Sequence, residues 1–475
     1  MAYEETGNFF LLSAGKIMKI IQSIHSLIKS LSLREKLFAL YIIALCNMDY
    51  AAFLFQGRRV MYADLIFIFL LPAVILNIAR ENNWSMALKL LLPFSPLLIF
   101  FIPSFYNSIS LKSSLAEFGA LAYLGLLGAV TAYTAVKSGK GFRVFLYLWV
   151  FTASFVALVG LTAFIAALAD KNLLYGNTLL FYSKIESVAH HFPRIDSLYE
   201  NANMFLTYLH TAIAFAMVLF LGEDATARRK LIPVCLLIML VAAFLTGSRR
   251  FTGLLLSLFL ILHWIKGGRK ATLFKHIAFI SFAVFFAVSV ITSIWVVFPL
   301  KIIKGKDSVM PRLNIDSSYS LHLLPPLVSL EIFKKHPFLG CGLGTYNKKF
   351  KENVDWNFLE GSFGFEAYPS YAAQVKDRTL NFDPHSAYLG ALAETGLVGF
   401  LGLIFFLLMY GRMMLAVIRQ EGGSSARKAA AYCIMAGFLG FILNGLIIDI
   451  LTMRHFWFML GTGLGLYYAG ENADA

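Results

Sequence analysis

"DPHSAYLGALAETGLVGFLGLIFFLLMYGRMM" (residues 383–414) begins with an acid, a proline and a histidine, and ends as an almost uncharged apolar run. From Leu397 onward it supplies about the 20 apolar residues that cross a hydrocarbon core about 30 Å thick. Before Gly396 it is a short segment of small residues carrying Asp383, His385 and Glu394. The fold depends on whether the rest of the chain repeats that apolar half.

It does. The 475 residues are 59% hydrophobic and only 14% charged, with a mean hydropathy of +0.70. Soluble domains run at about 45–50% apolar, so this composition specifies a membrane protein. Twelve runs read as spans, near 37–55, 60–79, 86–103, 115–136, 144–168, 203–221, 231–246, 252–265, 277–299, 397–418, 429–449 and 455–470. The predicted class is therefore an all-α integral membrane protein with about 12 transmembrane helices. A large helical loop precedes the tenth span. The organisation follows as an amphipathic interfacial segment 1–36, spans one to nine over 37–299, a loop domain 300–396 and three closing spans over 397–475. Lys16, Lys19 and Lys29 interleave with apolar residues in the first segment, which does not read as a cleavable signal peptide.

The net charge of +14 does not read as a nucleic-acid footprint, because the basic residues are spread over short loops. Lys137, Lys140 and Arg143, then Arg228, Arg229 and Lys230, then Lys266, Arg269, Lys270 and Lys275, and finally Arg412, Arg419, Arg427 and Lys428 all fall on one side. The positive-inside rule places that side and both termini in the cytoplasm, with the 300–384 loop outside. Cys46, Cys235, Cys341 and Cys433 have no pairing or CxxC spacing, so neither a disulfide framework nor a zinc site is expected.

Three pieces then share the outer face. In the first, Asp383 reads as an N-cap and Pro384 as the first helical residue, with His385 in the first turn and Gly396 ending the helix. A helix N-terminus favours neutral imidazole, the form that accepts a proton from a hydroxyl. A histidine satisfied by a backbone carbonyl at the interface fits the same spacing. In the second, "TGSRRF" (246–251), Arg249 and Arg250 follow an apolar run on the side where positive charge is disfavoured. Two arginines suit a diphosphate, and interfacial anchoring is the alternative. In the third, "HHFPRIDSLYENANMF" (190–205), Arg194 can add a phosphate contact, while Asn201 and Asn203 can cap the sixth span or bind sugar hydroxyls.

"HPFLGCGLGTY" (336–346) carries Gly340, Gly342 and Gly344 and reads as a structural turn, since no strand precedes it and no P-loop Lys-Ser follows. Lys301, Lys304, Lys306 and Arg312 form a basic collar after the ninth span. The acids Asp49, Asp64, Glu117 and Asp449 lie near span ends rather than mid-span, which weakens a proton-coupled flippase or transporter reading. A membrane scaffold is the bland alternative.

"SRR" after an apolar helix, "HPFLGCGLGTY" and "HSAYLGALAETGLVGFLG" together resemble the O-antigen ligase family of bacterial membrane proteins, over roughly residues 200–420. The resemblance implies a GT-C-type glycosyltransferase of the inner membrane. It would transfer a glycan from undecaprenyl diphosphate to lipid A-core on the periplasmic face in lipopolysaccharide biosynthesis, with inversion and with neither metal nor cofactor. Its partners would be the lipid-linked donor, the acceptor and membrane lipids, and not nucleic acid. An O-antigen polymerase joining lipid-linked repeat units is the alternative. By that analogy His385 activates the acceptor hydroxyl and Arg249 holds the leaving diphosphate. Arg250 stands where relatives have a small residue, so the choice within the pair stays open. Arg194 and Arg312 are further phosphate candidates by position. Asn203, Gly342, Gly344, Tyr346 and Glu394 are candidates for contacting sugar or shaping the loop.

Overall fold

The computed structural model describes residues 29–48, 51–55, 58–169, 182–185, 192–222, 227–264, 275–277, 279–284, 286–287, 317–354, 356, 376–378 and 383–471. These form two compact units, one ending at Asn83 and one beginning at Trp84.

The first unit holds α1 (Leu33–Ala44), β1 (Ala51–Phe55), β2 (Arg58–Met61) and α2 (Tyr62–Arg80). A capping box starts α1: Ser32 Oγ accepts from Glu35 N while Ser32 N donates to Glu35 Oε2 at 3.0 Å. The expected span over 37–55 is not one helix. Asn47 and Asp49 are weak helix formers, and beyond them Ala51–Phe55 pairs antiparallel with Arg58–Met61.

The second unit contains α3 (Trp84–Leu91), α4 (Ser95–Phe101), α5 (Leu111–Ser138), α6 (Arg143–Ala169), β3 (Tyr182–Ile185), β4 (Phe192–Ile195) and α7 (Ala202–Leu221). It continues through α8 (Ala227–Leu245), α9 (Phe251–Trp264), α10 (Ser317–Lys335), α11 (Tyr346–Asn353), α12 (Ala387–Arg419), α13 (Ser425–Asn444) and α14 (Arg454–Glu471). Among the described residues, seven helical stretches are long and apolar enough to cross a membrane: α2, Trp84–Asn107, α5, α6, α7, α12 and α13. Leu231–Leu245, α9 and Lys275–Val284 are shorter apolar helices. Most of the expected span 277–299 lies outside the described residues.

Aromatic side chains fill the interior. Trp149 packs on Tyr208, Phe215 and Phe458, with ring centroids 5.6, 5.5 and 4.4 Å apart. Phe94 lies between Phe406 and Trp457. Without a hydrophobic drive between helices in lipid, close approach depends on small residues. A Cβ on Gly253 of α9 or on Gly440 of α13 would strike the other's carbonyl oxygen, so these two helices touch backbone to backbone.

The helix after His385 breaks at Gly396 (φ 65°, ψ −165°). An unbroken helix would send Leu397 N–H to Ala393 O and Val398 N–H to Glu394 O. Instead Leu397 and Val398 donate to Pro337 O and Phe338 O at 2.8 and 3.1 Å, and Cys341 and Gly342 donate to Ala393 O and Glu394 O at 3.0 and 2.9 Å. The "HPFLGCG" loop thus satisfies these four backbone groups that the break releases, as a break in a membrane-embedded helix requires. Gly396 occupies a backbone region open almost only to glycine, and a Cβ there would strike Phe338. Gly396→Ala should therefore cost about 2–3 kcal/mol, read as a lowered unfolding midpoint of the purified protein in detergent. An unchanged midpoint would show that the loop yields freely.

Candidate functional site

Arg194 is the hub of the first part of the site. β4 carries it, pairing Arg194 with Ser183 of β3, and Ser197 Oγ ties the strand's exit to Val156 O of α6 at 2.7 Å. Arg194 Nε donates to Thr246 O at 2.7 Å, and its Nη2 donates to Asn203 Oδ1 at 3.2 Å. Ser248 Oγ donates to the same Asn203 oxygen at 2.6 Å. Asn203 therefore locks the strand to the Ser248–Arg250 turn, and its carbonyl oxygen is engaged. Asn201 caps α7, accepting from Met204 N at 2.9 Å.

The turn itself comes from Gly247, at φ 57°. Arg250 N donates to Ser248 Oγ, and Phe251, Thr252 and Gly253 N–H groups begin the ladder of α9 by donating to Ser248, Arg249 and Arg250 O. Arg249 and Arg250 thus stand at the positive end of a helix, where the dipole favours an anion. Burial and the nearby Arg194 push Arg250 down to about 9, so it still carries its charge at neutral pH. Burial lowers Arg194 as well, against the pull of Asp196 and with the push of Arg249. Three guanidiniums share one face, and the Nη1 of Arg250 is buried with no hydrogen bond to a described residue.

His385 lies beside this face but not where the sequence reading puts it. The N-cap is Ser386, whose Oγ accepts from Leu389 N at 3.3 Å, so His385 precedes the helix instead of lying in its first turn. Asp383 is exposed and does not cap. The serine wins because the chain must also dock here: Ala387 N donates to Gly445 O and Ile448 O at 2.9 and 3.0 Å, and Ser386 Oγ reaches Gly445 O. His385 takes φ 51°, a left-handed conformation that is uncommon outside glycine. The imidazole is pushed down to about 4, first by burial and then by the charge of Arg250. It is neutral at pH 7, and the cause is burial and the arginine rather than the expected helix dipole.

The remaining candidates form a second cluster along the same helix. Glu394 Oε1 accepts from Tyr346 N at 2.9 Å and so caps α11, while Tyr346 Oη donates to Pro325 O at 2.7 Å. Gly342 and Gly344 have φ of 107° and 69°, and a Cβ on either would strike Ser108 or Glu117. Ser114 Oγ holds Leu343 O at 2.6 Å. This cluster clamps the loop. Arg312, Lys301, Lys304, Lys306, His190 and His191 lie outside the described residues. All four cysteines are free, and among the described residues no group of three His, Cys, Asp or Glu could hold a metal.

Sequence reasoning missed a polar seam under the arginine turn. His210 of α7 meets Ser257 Oγ of α9 at 2.7 Å and stacks on Phe441 of α13, with centroids 4.6 Å apart. His455 lies against the same Phe441 at 5.9 Å, and Asn444 closes α13 beside Gly253. The signal was available as lone polar residues inside apolar runs, which in a membrane protein face the bundle interior by default.

Breaking the brace is the direct test of how this face is held. Asn203→Leu should lower the unfolding midpoint of the purified protein by releasing both Arg194 and Ser248, a loss of about 1–3 kcal/mol. Asn203→Asp, which keeps an oxygen to accept both bonds, should stay near the wild-type midpoint. Equal loss in the two variants would mean that the amide nitrogen acts in its own right.

Residues 234–404 match a family model described as O-antigen ligase. No curated protein matches the chain.

Proposed function

From the match of residues 234–404 to a family model described as O-antigen ligase, we propose that this chain is a membrane glycosyltransferase that moves a glycan from a polyprenyl diphosphate to lipid A-core. The observation that carries the reading is the pairing of a neutral, half-buried His385 with the charge of Arg250, which the charge of Arg194 also reaches, as that of Arg249 reaches Arg194. A base and an anion site are the two things that transfer from a sugar diphosphate needs.

In the proposed step the acceptor hydroxyl oxygen bonds to the anomeric carbon as the carbon–oxygen bond to diphosphate breaks, with inversion. The hydroxyl proton passes to the imidazole of His385, and the bonding pair leaves with the diphosphate. Arginines fixed at a helix N-terminus stabilise that departing charge without having to reorganise at the moment of reaction. The site also tunes its own base. Arg250 depresses the imidazole, and a bound diphosphate offsets that charge, so donor binding raises the basicity of His385 just when a proton must be taken.

The wider reading keeps a many-span GT-C-type architecture in the inner membrane, with the basic loops cytoplasmic and the site periplasmic. It rests on the distribution of basic residues and on the apolar runs. Lipopolysaccharide from a deletion strain tests the assignment on a gel. Loss of a ligase leaves core without any O-antigen ladder, whereas core bearing a single repeat would identify a polymerase instead. An unaltered ladder would end both readings.

A further inference from the structure

In and beside the polar seam, the buried atoms that find no partner among the described residues include His210 Nδ1, an acceptor when Nε2 donates, and three nitrogens able to donate. These three are Arg250 Nη1, Asn444 Nδ2 and His455 Nε2. Asn444 and His455 are only 2% and 8% exposed. An unsatisfied polar group inside a bundle is costly, and several together at one place ask what they serve.

They belong to one place. A Cβ on Gly253 would lie 2.5 Å from Asn444 Nδ2, and Gly253 N donates to Arg250 O, so the amide sits within one helical turn of the arginine. The residue after Asn444, Gly445, holds the N-terminus of the His385 helix through Ala387 N. His455 packs on Phe441, one helical turn before Asn444 on α13. Its ring lies against Tyr208 at 6.3 Å and Phe441 at 5.9 Å, which fixes its plane while leaving Nε2 unused. His210 differs, because its Nε2 already meets Ser257 Oγ. Ser257 Oγ donates to Gly253 O and Ala436 O, so His210 is the donor in that contact and a packing element of the seam.

We propose that Asn444 and His455 bind the diphosphate of the lipid donor together with Arg250, as uncharged donors inside the bundle. This rests on the diphosphate-donor reading given above. An amide and an imidazole N–H add hydrogen bonds to phosphate oxygens without adding a fourth and fifth cation beside Arg194, Arg249 and Arg250. They also direct the anion to the junction of the arginine turn and the histidine helix.

The test is binding of farnesyl diphosphate, farnesyl monophosphate and farnesol to the full-length protein in nanodiscs, with the unfolding midpoint measured alongside. Wild type should prefer the diphosphate to farnesol. His455→Phe and Asn444→Leu should each weaken diphosphate binding about tenfold, the size of one hydrogen bond to a charged group, and leave farnesol binding unchanged. Both should hold or raise the unfolding midpoint, because each removes an unsatisfied buried group. His455→Gln keeps a donor and should bind within about threefold of wild type. Wild-type affinity in the Phe and Leu variants, with weak binding in Arg250→Ala, would overturn the inference while leaving the arginine site standing. Weak binding with a lowered midpoint, not restored in His455→Gln, would assign packing roles and overturn it too. If wild type itself does not distinguish diphosphate from farnesol, the underlying donor reading fails and this inference falls with it.

Discussion

Replacing His385 by glycine is expected to slow glycan transfer by about 10²- to 10⁴-fold, the usual contribution of a positioned general base, while leaving the fold at least as stable. The second half of that expectation follows from the backbone. At φ 51° a residue with a Cβ is strained by about 1–2 kcal/mol, and glycine is not. Stability and activity should therefore move in opposite directions, which no packing role for the histidine would produce. Free imidazole should restore part of the rate if the cavity it leaves is accessible. The pH profile adds a signed test. Burial and Arg250 hold the imidazole at about 4 rather than near 6.5, so the neutral form persists well into acid. The acid limb of kcat/KM, which reports free enzyme, should lie near pH 4. That of kcat should lie higher, because bound diphosphate offsets Arg250. Transfer at the wild-type rate by His385→Gly, with lipid-linked donor and core acceptor, would remove the base assignment.

The chain reveals its class readily and its local breaks poorly. Long apolar runs such as 115–136, 144–168 and 203–221 became α5, α6 and α7, because a span needs only length and the absence of charge. The run 37–55 also has that average, yet Asn47 and Asp49 divide it and its second half forms a strand. Gly396 was legible as a helix end. That the 336–342 loop fills the break was not, since the bonds join residues more than fifty positions apart and have no local pattern. Loops that satisfy a broken helix in lipid are dictated by tertiary structure, not by propensity.

The site divides the same way. His385, Arg194, Arg249 and Arg250 stood out as charged or titratable residues at span mouths, and the fold draws them to one face. Their capping partners did not stand out, because Asp383 and Ser386 are both good N-caps and only the docking onto Gly445 and Ile448 decides between them. Glu394 reads as a candidate for touching sugar, but its carboxylate caps α11. Asn444 and His455 carried the one signal that could have marked them, polarity within an apolar span, and their convergence on Arg250 needed three helices in place.

Arg250→Ala is expected to lower transfer by about 10²- to 10³-fold, the scale for removing one fixed stabiliser of developing negative charge. Arg250 has its Nη1 buried with no partner among the described residues, and its charge bears on His385. Lysine should restore only part of the rate, since a single ammonium cannot reproduce the planar fork of donors. The variant also carries a signature that mere loss of structure would not give. Without the arginine, His385 keeps only the burial contribution, so the acid limb of kcat/KM should move upward from about pH 4. Arg249→Ala should move that limb less, because the charge of Arg250 depresses the imidazole while that of Arg249 acts on Arg194. An acid limb that shifts in Arg249→Ala and stays fixed in Arg250→Ala would exchange the roles of the two arginines and put the leaving group on the other side of the turn.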